Sequence, residues 1–276
     1  MAAYSPAPKT EYAANFIAGC EGQQWFIDEV ERLLNANQMT LGAITGSPDL
    51  DIITSLVLKD RGTTGKIPKA IGELRELREL VLSGNSLSGE LPSELFSLAK
   101  LLDIDLAYNA YTGAIPSGFG TMPALEVLVL RGNGYTGTIP DSILCNTAIK
   151  VLDVACNGLG GSVPADLNKM TGLVYLSISE NPWSPGALPE LPALTGLITL
   201  SARNCNLVGA MPNCIYTLAK LQVLDLSGNP LIGEASTDIT EPDALQPLCA
   251  GAQLVGRGAP RGCAAYGAEL NNDVIV

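Results

Sequence analysis

The stretch LVLSGNSLSGELP, residues 80 to 92, spaces its leucines, asparagine, glycines and proline in a way that suits neither an amphipathic helix nor an ordinary strand. The same spacing recurs with a period of 24 residues, without an insertion between units. The units, called repeats 1 to 8 below, begin at Ile53, Leu77, Leu101, Leu125, Ile149, Leu173, Leu197 and Leu221. A fixed period of this length indicates an architecture in which each unit stacks on the next.

Each class of position in the repeat has a physical role. Apolar residues at positions four and six predict a short strand that buries one face and stacks on its neighbour in a parallel sheet. Asparagine at position nine can satisfy backbone groups of the turns in its own and adjacent repeats. Glycine at position 13 permits the next bend, and proline at position 16 suits backbone outside a ladder. From repeat 2 onward, position nine holds Asn85, Asn109, Asn133, Asn157, Asn181, Cys205 and Asn229, whereas repeat 1 has Arg61.

The unit LxxLxLxxNxLxGxIPxxLxxLxx resembles the plant-type leucine-rich repeat (LRR) of receptor-kinase ectodomains and polygalacturonase-inhibiting proteins. The resemblance implies an α/β repeat fold: a right-handed solenoid with a parallel sheet on its concave face. It also implies a binding role, usually for a protein or a peptide. Extracellular plant members often carry a paired-cysteine cap before the repeats, whereas this sequence has only Cys20 there.

The repeats divide the chain into three segments. These are residues 1–52, an N-terminal tail and helical cap; residues 53–244, the repeats; and residues 245–276, a C-terminal cap and tail. Terminal caps are needed because the ends of a repeat stack would otherwise expose apolar surface. Apolar residues at helical spacing predict one or two capping helices within residues 11–36, and QMTLGAIT, residues 38–45, is expected to add a preliminary strand.

Composition excludes several function classes. The chain carries a net charge of −12, which argues against nucleic acid and is compatible with a basic partner. It contains no histidine, no CxxC pair and no GxxxxGK[ST] phosphate loop, so we expect neither an enzyme nor a metal or cofactor site. The sequence also lacks an apolar run of about twenty residues, which argues against a membrane span.

The N-terminal residues and the cysteines bear on the cellular compartment and on disulfide pairing. MAAYSPAPKT, residues 1–10, lacks the features of a signal peptide, and seven cysteines make an odd number. These features favour the cytoplasm, although a secreted protein whose signal was removed would look the same. Cys249 and Cys263 are close enough in sequence to form a disulfide, and the alternative is two unpaired small apolar residues. We expect a monomer.

Candidate binding residues occupy the outward positions of the predicted strands, because the inward positions form the core. Eight neighbouring strands at about 4.8 Å spacing span roughly 35 Å, enough for an extended peptide or one face of a folded partner. The middle repeats and repeat 7 supply the candidate partner-binding residues Asp103, Asp105, Tyr108, Glu126, Arg131, Asp153, Tyr175 and Arg203. The alternative is that Arg131 only neutralises Asp105 and Asp153 on neighbouring strands.

Two further functions remain open. Likeness to the polygalacturonase inhibitors suggests inhibition of a secreted hydrolase. Hydroxyl residues at position 12 suggest an ice- or carbohydrate-binding surface, although serine or threonine is also ordinary there. The row reads Thr64, Ser88, Thr112, Thr136, Gly160 and Ser184, and it is lost at Val208 and Ile232.

Overall fold

The computed structural model describes residues 10 to 231, without the side chain of Ser47. The C-terminal cap predicted over residues 245–276, with Cys249 and Cys263, lies outside the described residues. Helices α1 (Glu11–Gly19) and α2 (Gln24–Ala36) precede the repeats, and the short α3 (Asp141–Leu144) lies within them. None of the helices in this part of the chain is long and apolar enough to cross a membrane.

Eight short parallel strands form the principal sheet, one strand from each repeat in chain order. They are Ser55–Val57, Glu79–Val81, Asp103–Asp105, Val127–Val129, Val151–Asp153, Tyr175–Ser177, Thr199–Ser201 and Val223–Asp225. Residues 24 apart are partners throughout, for example Leu80 with Ile104 and Leu128 with Leu152. The α/β solenoid and its parallel sheet are therefore confirmed.

The core forms one continuous stack because the same positions turn inward in every repeat. Position four is buried from Leu56 to Leu224, and the leucine, isoleucine and valine residues at positions one and six extend the same cluster. Burial of such side chains is the main favourable term for a fold with few contacts between distant repeats.

The predicted N-terminal helical cap is confirmed, and it covers the first repeat. Helix α2 buries Phe26, Val30 and Leu34, and the ring of Phe26 packs 6.1 Å from that of Phe16 in α1. The cap also contacts the edge of repeat 1, where the backbone N–H of Lys66 donates to the side chain of Gln23 at 2.9 Å.

The strand predicted in QMTLGAIT is wrong. The segment contains a single 3₁₀ turn, Leu41–Ala43, and its backbone pairs with the cap. The carbonyl of Gly42 accepts from the backbone N–H of Thr10, and that of Ile44 accepts from the Thr10 hydroxyl. Local apolar alternation favoured a strand, but these contacts to the start of α1 use the backbone groups that a ladder would need.

The return path of each repeat is less regular. Thr64–Gly65 pairs with Ser86–Leu87, and a second small parallel sheet joins Thr112–Ala114, Gly134–Gly137 and Gly158–Leu159. In the described part of the repeats, five 3₁₀ turns occupy Lys69–Glu73, Ser93–Ser97, Ser117–Thr121, Ala165–Lys169 and Asn213–Thr217. Each follows the proline at position 16 of its repeat, whose fixed φ leads into the turn.

Candidate binding face

Asparagine side chains at position nine hold the edge of the principal sheet. The amide of Asn109 donates to the carbonyls of Leu82, Leu106 and Ala107 at 2.9 to 3.2 Å, and its oxygen accepts from the N–H of Leu87 at 2.9 Å. The asparagines of repeats 4 to 6 repeat this pattern with backbone 2, 3, 22 and 27 residues earlier. Since both ends of the amide are used, the side chain ties two repeats together.

Cys205 takes this position in repeat 7 and reproduces only the donor half. Its thiol donates to the carbonyls of Ile178 and Arg203 at 3.3 and 3.4 Å. Burial raises the pKa of this thiol to about 12, so Cys205 stays protonated and acts as a structural residue.

Position eight bends the chain out of each strand with a left-handed backbone, and this bend places Tyr108. Tyr108 itself has φ 52°, and the corresponding residue of repeat 4 is Gly132 with φ 68°. A Cβ at Gly132 would lie 2.5 Å from Cδ1 of Tyr108. The tyrosine ring therefore lies over the neighbouring repeat in space that only glycine leaves open.

Arg131 joins this ring to a buried carboxylate. Its Nε donates to the Tyr108 hydroxyl at 2.9 Å, and its Nη1 lies 3.4 Å from Oδ2 of Asp153. Asp153 is 0 % exposed and also accepts from the N–H of Ala155 at 2.9 Å. Burial raises the pKa of Asp153, and the charge of Arg131 opposes that rise. Arg131 thus neutralises Asp153, one of the two carboxylates that the alternative sequence interpretation named.

A second polar cluster lies on repeats 6 and 7. Arg203 Nε and Asn204 Nδ2 donate to the same oxygen of Glu180 at 3.2 and 2.7 Å. The hydroxyls of Ser179 and Ser201 lie 2.8 Å apart, and Ser179 also accepts from the backbone N–H of Arg203. Arg203 is 8 % exposed, so most of its guanidinium is used inside the cluster.

Three carboxylates of repeats 2 and 3, called the acidic patch, lie side by side on the concave face. Glu79 and Asp103 are direct cross-strand partners, and Asp105 occupies the next outward position of the same strand as Asp103. Glu79 accepts from the hydroxyl of Ser55 at 2.5 Å, and Asp105 accepts from the N–H of Ala107. Among the described residues, none of the three carboxylates has an ion-pair partner.

The negative charges of the acidic patch repel one another. Burial raises the pKa of Asp103 to about 7, and the charges of Asp105 and Glu79 add to the rise. One oxygen of Asp103 is also buried without a hydrogen-bond partner in the described chain. A cation bound here would relieve the repulsion and supply the missing partner.

Two other predicted residues lie at the margin of this face. Glu126 forms an exposed ion pair with Lys150 at 2.8 Å, and Tyr175 is partly exposed on the strand of repeat 6. Leu102, between Arg78 and Glu126 in the same column, is 37 % exposed and adds an apolar contact surface.

The sequence itself identifies the repeat. Residues 75–134 match the family model described as "Leucine rich repeat", and residues 220–245 match a second model with the same description. The chain contains leucine-rich repeats. A search of curated protein sequences found no significant match.

Solved LRR structures from plants resemble the chain. The ectodomain of the Arabidopsis thaliana membrane receptor kinase GASSHO1/SCHENGEN3, in complex with CASPARIAN STRIP INTEGRITY FACTOR 2, is 31% identical with a TM-score of 0.62 and covers 70% of this chain. The Arabidopsis receptor kinase HAESA, in complex with the peptide hormone IDA and the co-receptor SERK1, is 26% identical with a TM-score of 0.69 and covers 87%. This chain spans only 22% and 40% of those two chains, respectively.

A plant ice-binding protein is also similar. Its crystal structure is 27% identical with a TM-score of 0.55, and the match covers 69% of this chain and 71% of that one. The two LRR chains thus match over comparable shares of their lengths.

The LRR consensus predicted which repeat positions form the concave face, but it did not predict which side chains at those positions are exposed. Asp153, Arg131 and Arg203, expected at the surface, lie buried and organise the face from beneath. Glu79 was absent from the predicted binding residues, although its outward position three beside Asp103 was visible in the repeat alignment. Gly132 was likewise missed, and the signal for it was the residue Tyr108 at the same position one repeat earlier.

Proposed function

We propose that this LRR protein is a non-catalytic scaffold that binds a basic protein or peptide across the acidic patch. A binding role agrees with the similarity to ectodomains that were solved in complex with peptide ligands. The observation that carries the proposal is the group of three adjacent carboxylates without an ion-pair partner in the described chain. A lysine or arginine of the ligand supplies the charge and the hydrogen-bond donors that Asp103 lacks.

The neighbouring groups give the ligand its orientation. Tyr108 offers an aromatic surface beside Gly132 of the next repeat. Its hydroxyl accepts a hydrogen bond from Arg131, which is in turn paired with Asp153. Aromatic side chains on rigid supports often dominate the energy of an interface. The non-catalytic assignment rests on the absence of histidine from the sequence and on the position of these carboxylates on an open sheet.

The proposal is tested with a charge-removing variant that keeps side-chain shape. A random peptide library displayed on phage is selected on the native protein, and the dissociation constants of the enriched peptides are measured by calorimetry. We expect enriched peptides to contain lysine or arginine, and the variant Glu79→Gln, Asp103→Asn, Asp105→Asn to bind them at least tenfold more weakly. A tenfold change corresponds to about 1.4 kcal/mol.

The control variant changes net charge by the same amount elsewhere. Glu31→Gln, Glu90→Gln and Asp141→Asn alter three exposed carboxylates outside the acidic patch, and less than a twofold effect is expected. Equal weakening in both variants would mean that net charge alone attracts the peptides. Unchanged binding to the patch variant would place the site elsewhere.

Inhibition of a secreted hydrolase is a special case of the same binding mode. It would require the acidic patch to contact an enzyme rather than a peptide. Within the described chain, no feature distinguishes that partner from other basic proteins.

Ice or carbohydrate binding is the second candidate, and it uses a different surface. Thr112 and Thr136 are exposed on the small parallel sheet, and each lies against a glycine of the next repeat, Gly134 or Gly158. The similarity to the plant ice-binding protein favours examining this surface. Freezing-point hysteresis that is present in the native protein and lost in Thr112→Lys, Thr136→Lys would establish it, whereas no hysteresis and no signal on a glycan array would exclude it.

A further inference from the structure

A pocket of about 270 Å³ lies between the N-terminal cap and repeat 1. One wall belongs to α2 and the other to the strand and turn of repeat 1. The lining residues are Trp25, Asp28, Glu29, Arg32, Val57, Leu58, Arg61 and Thr63. This volume suits a group about the size of one amino-acid residue.

The position of the pocket follows from the end of the repeat ladder. From repeat 2 onward, position nine is an amide or thiol that bonds to the preceding repeat, as Asn85 does to the carbonyl of Leu58. Repeat 1 has no preceding repeat, and Arg61 replaces the asparagine. Helix α2 covers the end of the stack instead, and the two surfaces do not close completely.

Two buried hydrogen-bond donors in the pocket walls lack partners. The indole Nε1 of Trp25 and the hydroxyl of Thr63 are both buried, and neither has a hydrogen-bond partner within the described chain. Buried polar groups are nearly always hydrogen-bonded, so each such group requires an explanation. Neither atom is accessible from the pocket in this structure, so an acceptor in the pocket bonds to them only after their side chains rotate.

The charged groups of the pocket leave one cation, Arg61, and one anion, Asp28, without an ion-pair partner in the described chain. Glu29 is paired with Arg32, whose Nη2 lies 2.5 Å from its Oε1, and Asp28 accepts from the side chain of Gln24 at 2.6 Å. Among the described residues Arg61 has no ion-pair partner. The guanidinium of Arg61 matches the geometry of a carboxylate, and the unpaired charge of Asp28 favours a ligand that also carries an ammonium group.

The remaining walls are apolar. Val57 is 45 % exposed, one of the largest exposures among the hydrophobic residues of the described chain, and Leu58 and the ring of Trp25 continue this surface. An apolar group attached to the carboxylate would cover Val57 and gain the free energy of its burial.

We propose that this pocket binds a carboxylate joined to an apolar side chain, with Arg61 as the ionic partner and Trp25 and Thr63 as donors. Both a free apolar amino acid and the C-terminal residue of a peptide present this chemistry. Asp28 distinguishes them, because it attracts the ammonium group of a free amino acid and a peptide C-terminus has none there. This inference goes beyond the concave-face function and does not depend on it.

The test uses the full chain labelled with ¹⁵N at tryptophan, whose spectrum contains two indole signals. Trp183 is 0 % exposed and donates to the carbonyl of Ile178, so its signal is an internal control. N-acetyl-leucine is titrated and is expected to shift the Trp25 signal with a millimolar dissociation constant, without moving that of Trp183. N-acetyl-leucinamide, which lacks the charge, is expected to bind at least fivefold more weakly.

Variants and further probes complete the experiment. Arg61→Gln should weaken N-acetyl-leucine at least fivefold, whereas Arg75→Gln, which changes an exposed arginine outside the pocket, should leave its affinity unchanged. Tighter binding of leucine than of N-acetyl-leucine, reversed in Asp28→Asn, identifies a free amino acid. Tighter binding of the acetylated tripeptide Gly-Gly-Leu identifies a peptide C-terminus.

Three results would overturn the inference. They are a Trp25 signal that does not move at millimolar N-acetyl-leucine, equal affinity for the amide, and unchanged affinity in Arg61→Gln. Because the readout is local to Trp25, loss of peptide binding at the acidic patch would leave these results unaffected.

Discussion

Replacement of Asn157 by alanine should destabilise the solenoid strongly, because this side chain uses both ends of its amide. The amide nitrogen donates to the carbonyls of Leu130, Val154 and Ala155, each at 3.1 Å. The oxygen accepts from the N–H of Tyr135 at 3.1 Å. Asn157 is 9 % exposed, so water cannot readily replace these bonds.

The expected magnitude follows from counting the groups left behind. The stranded N–H of Tyr135 costs about 1 to 3 kcal/mol. The amide has two N–H groups, shared among the three carbonyls, so two donor bonds are lost at about 1 kcal/mol each, or about 2 kcal/mol together. Asn157→Ala should therefore lower the free energy of unfolding by about 3 to 5 kcal/mol. Asn157→Cys should cost less, because the thiol of Cys205 shows that sulfur can supply the donor half.

Urea unfolding followed by far-ultraviolet circular dichroism measures these differences. Asn35→Ala, at an exposed position of α2, is the control and should stay within about 0.5 kcal/mol of the native protein. A loss below about 1 kcal/mol in Asn157→Ala, or an equal loss in both variants, would refute the argument that the amide joins neighbouring repeats.

Three other perturbations test the concave face, each by the urea midpoint. Asp153→Ala should lower the free energy of unfolding by about 3 to 5 kcal/mol, because it leaves the buried guanidinium of Arg131 without its partner. The double variant Arg131→Met, Asp153→Leu should lose much less than the sum of the two single changes. Additive losses would contradict this reasoning. The raised pKa of Asp103 means that the folded state holds its proton more tightly than the unfolded state does. Stability should therefore fall as pH rises from about 4 to about 7, and Asp103→Asn should reduce this fall; an unchanged pH profile would show that the patch is not strained. Gly132→Ala should cost about 1 to 3 kcal/mol and exceed Gly113→Ala, which has positive φ but no neighbour within 4 Å; equal losses would leave backbone strain as the sole cause.

The sequence predicted the register of the strands correctly because that register follows from the 24-residue period. Each strand lies at positions three to five of its repeat, and partners are 24 residues apart, as the alignment of Leu80 with Ile104 requires. The helical cap was also visible, since the apolar residues of α2 follow helical spacing. The strand predicted in QMTLGAIT was wrong because hydrogen bonds to Thr10, which is distant in sequence, determine the backbone conformation of this segment.

The candidate site was less predictable because outward positions differ in burial. Arg131 follows the strand Val127–Val129 and Asp153 ends the strand Val151–Asp153, at positions that the repeat places toward solvent, yet both are buried. Neighbouring side chains, including the Tyr108 ring over Gly132, cover them. A single repeat pattern cannot encode that coverage, because it depends on which residues stand at the same position of adjacent repeats.

By itself, the sequence determined the repeat, the strand positions, the inward core and the position-nine ladder, since each depends on residues at fixed spacing within one unit. Only the tertiary structure decided which charges are paired and which remain available. The pairing of Arg131 with Asp153, the unpaired acidic patch and the pocket at Arg61 all arise where side chains from different repeats, or from the cap and repeat 1, meet in space. Such contacts depend on shape and burial across the stack, which no periodic pattern specifies.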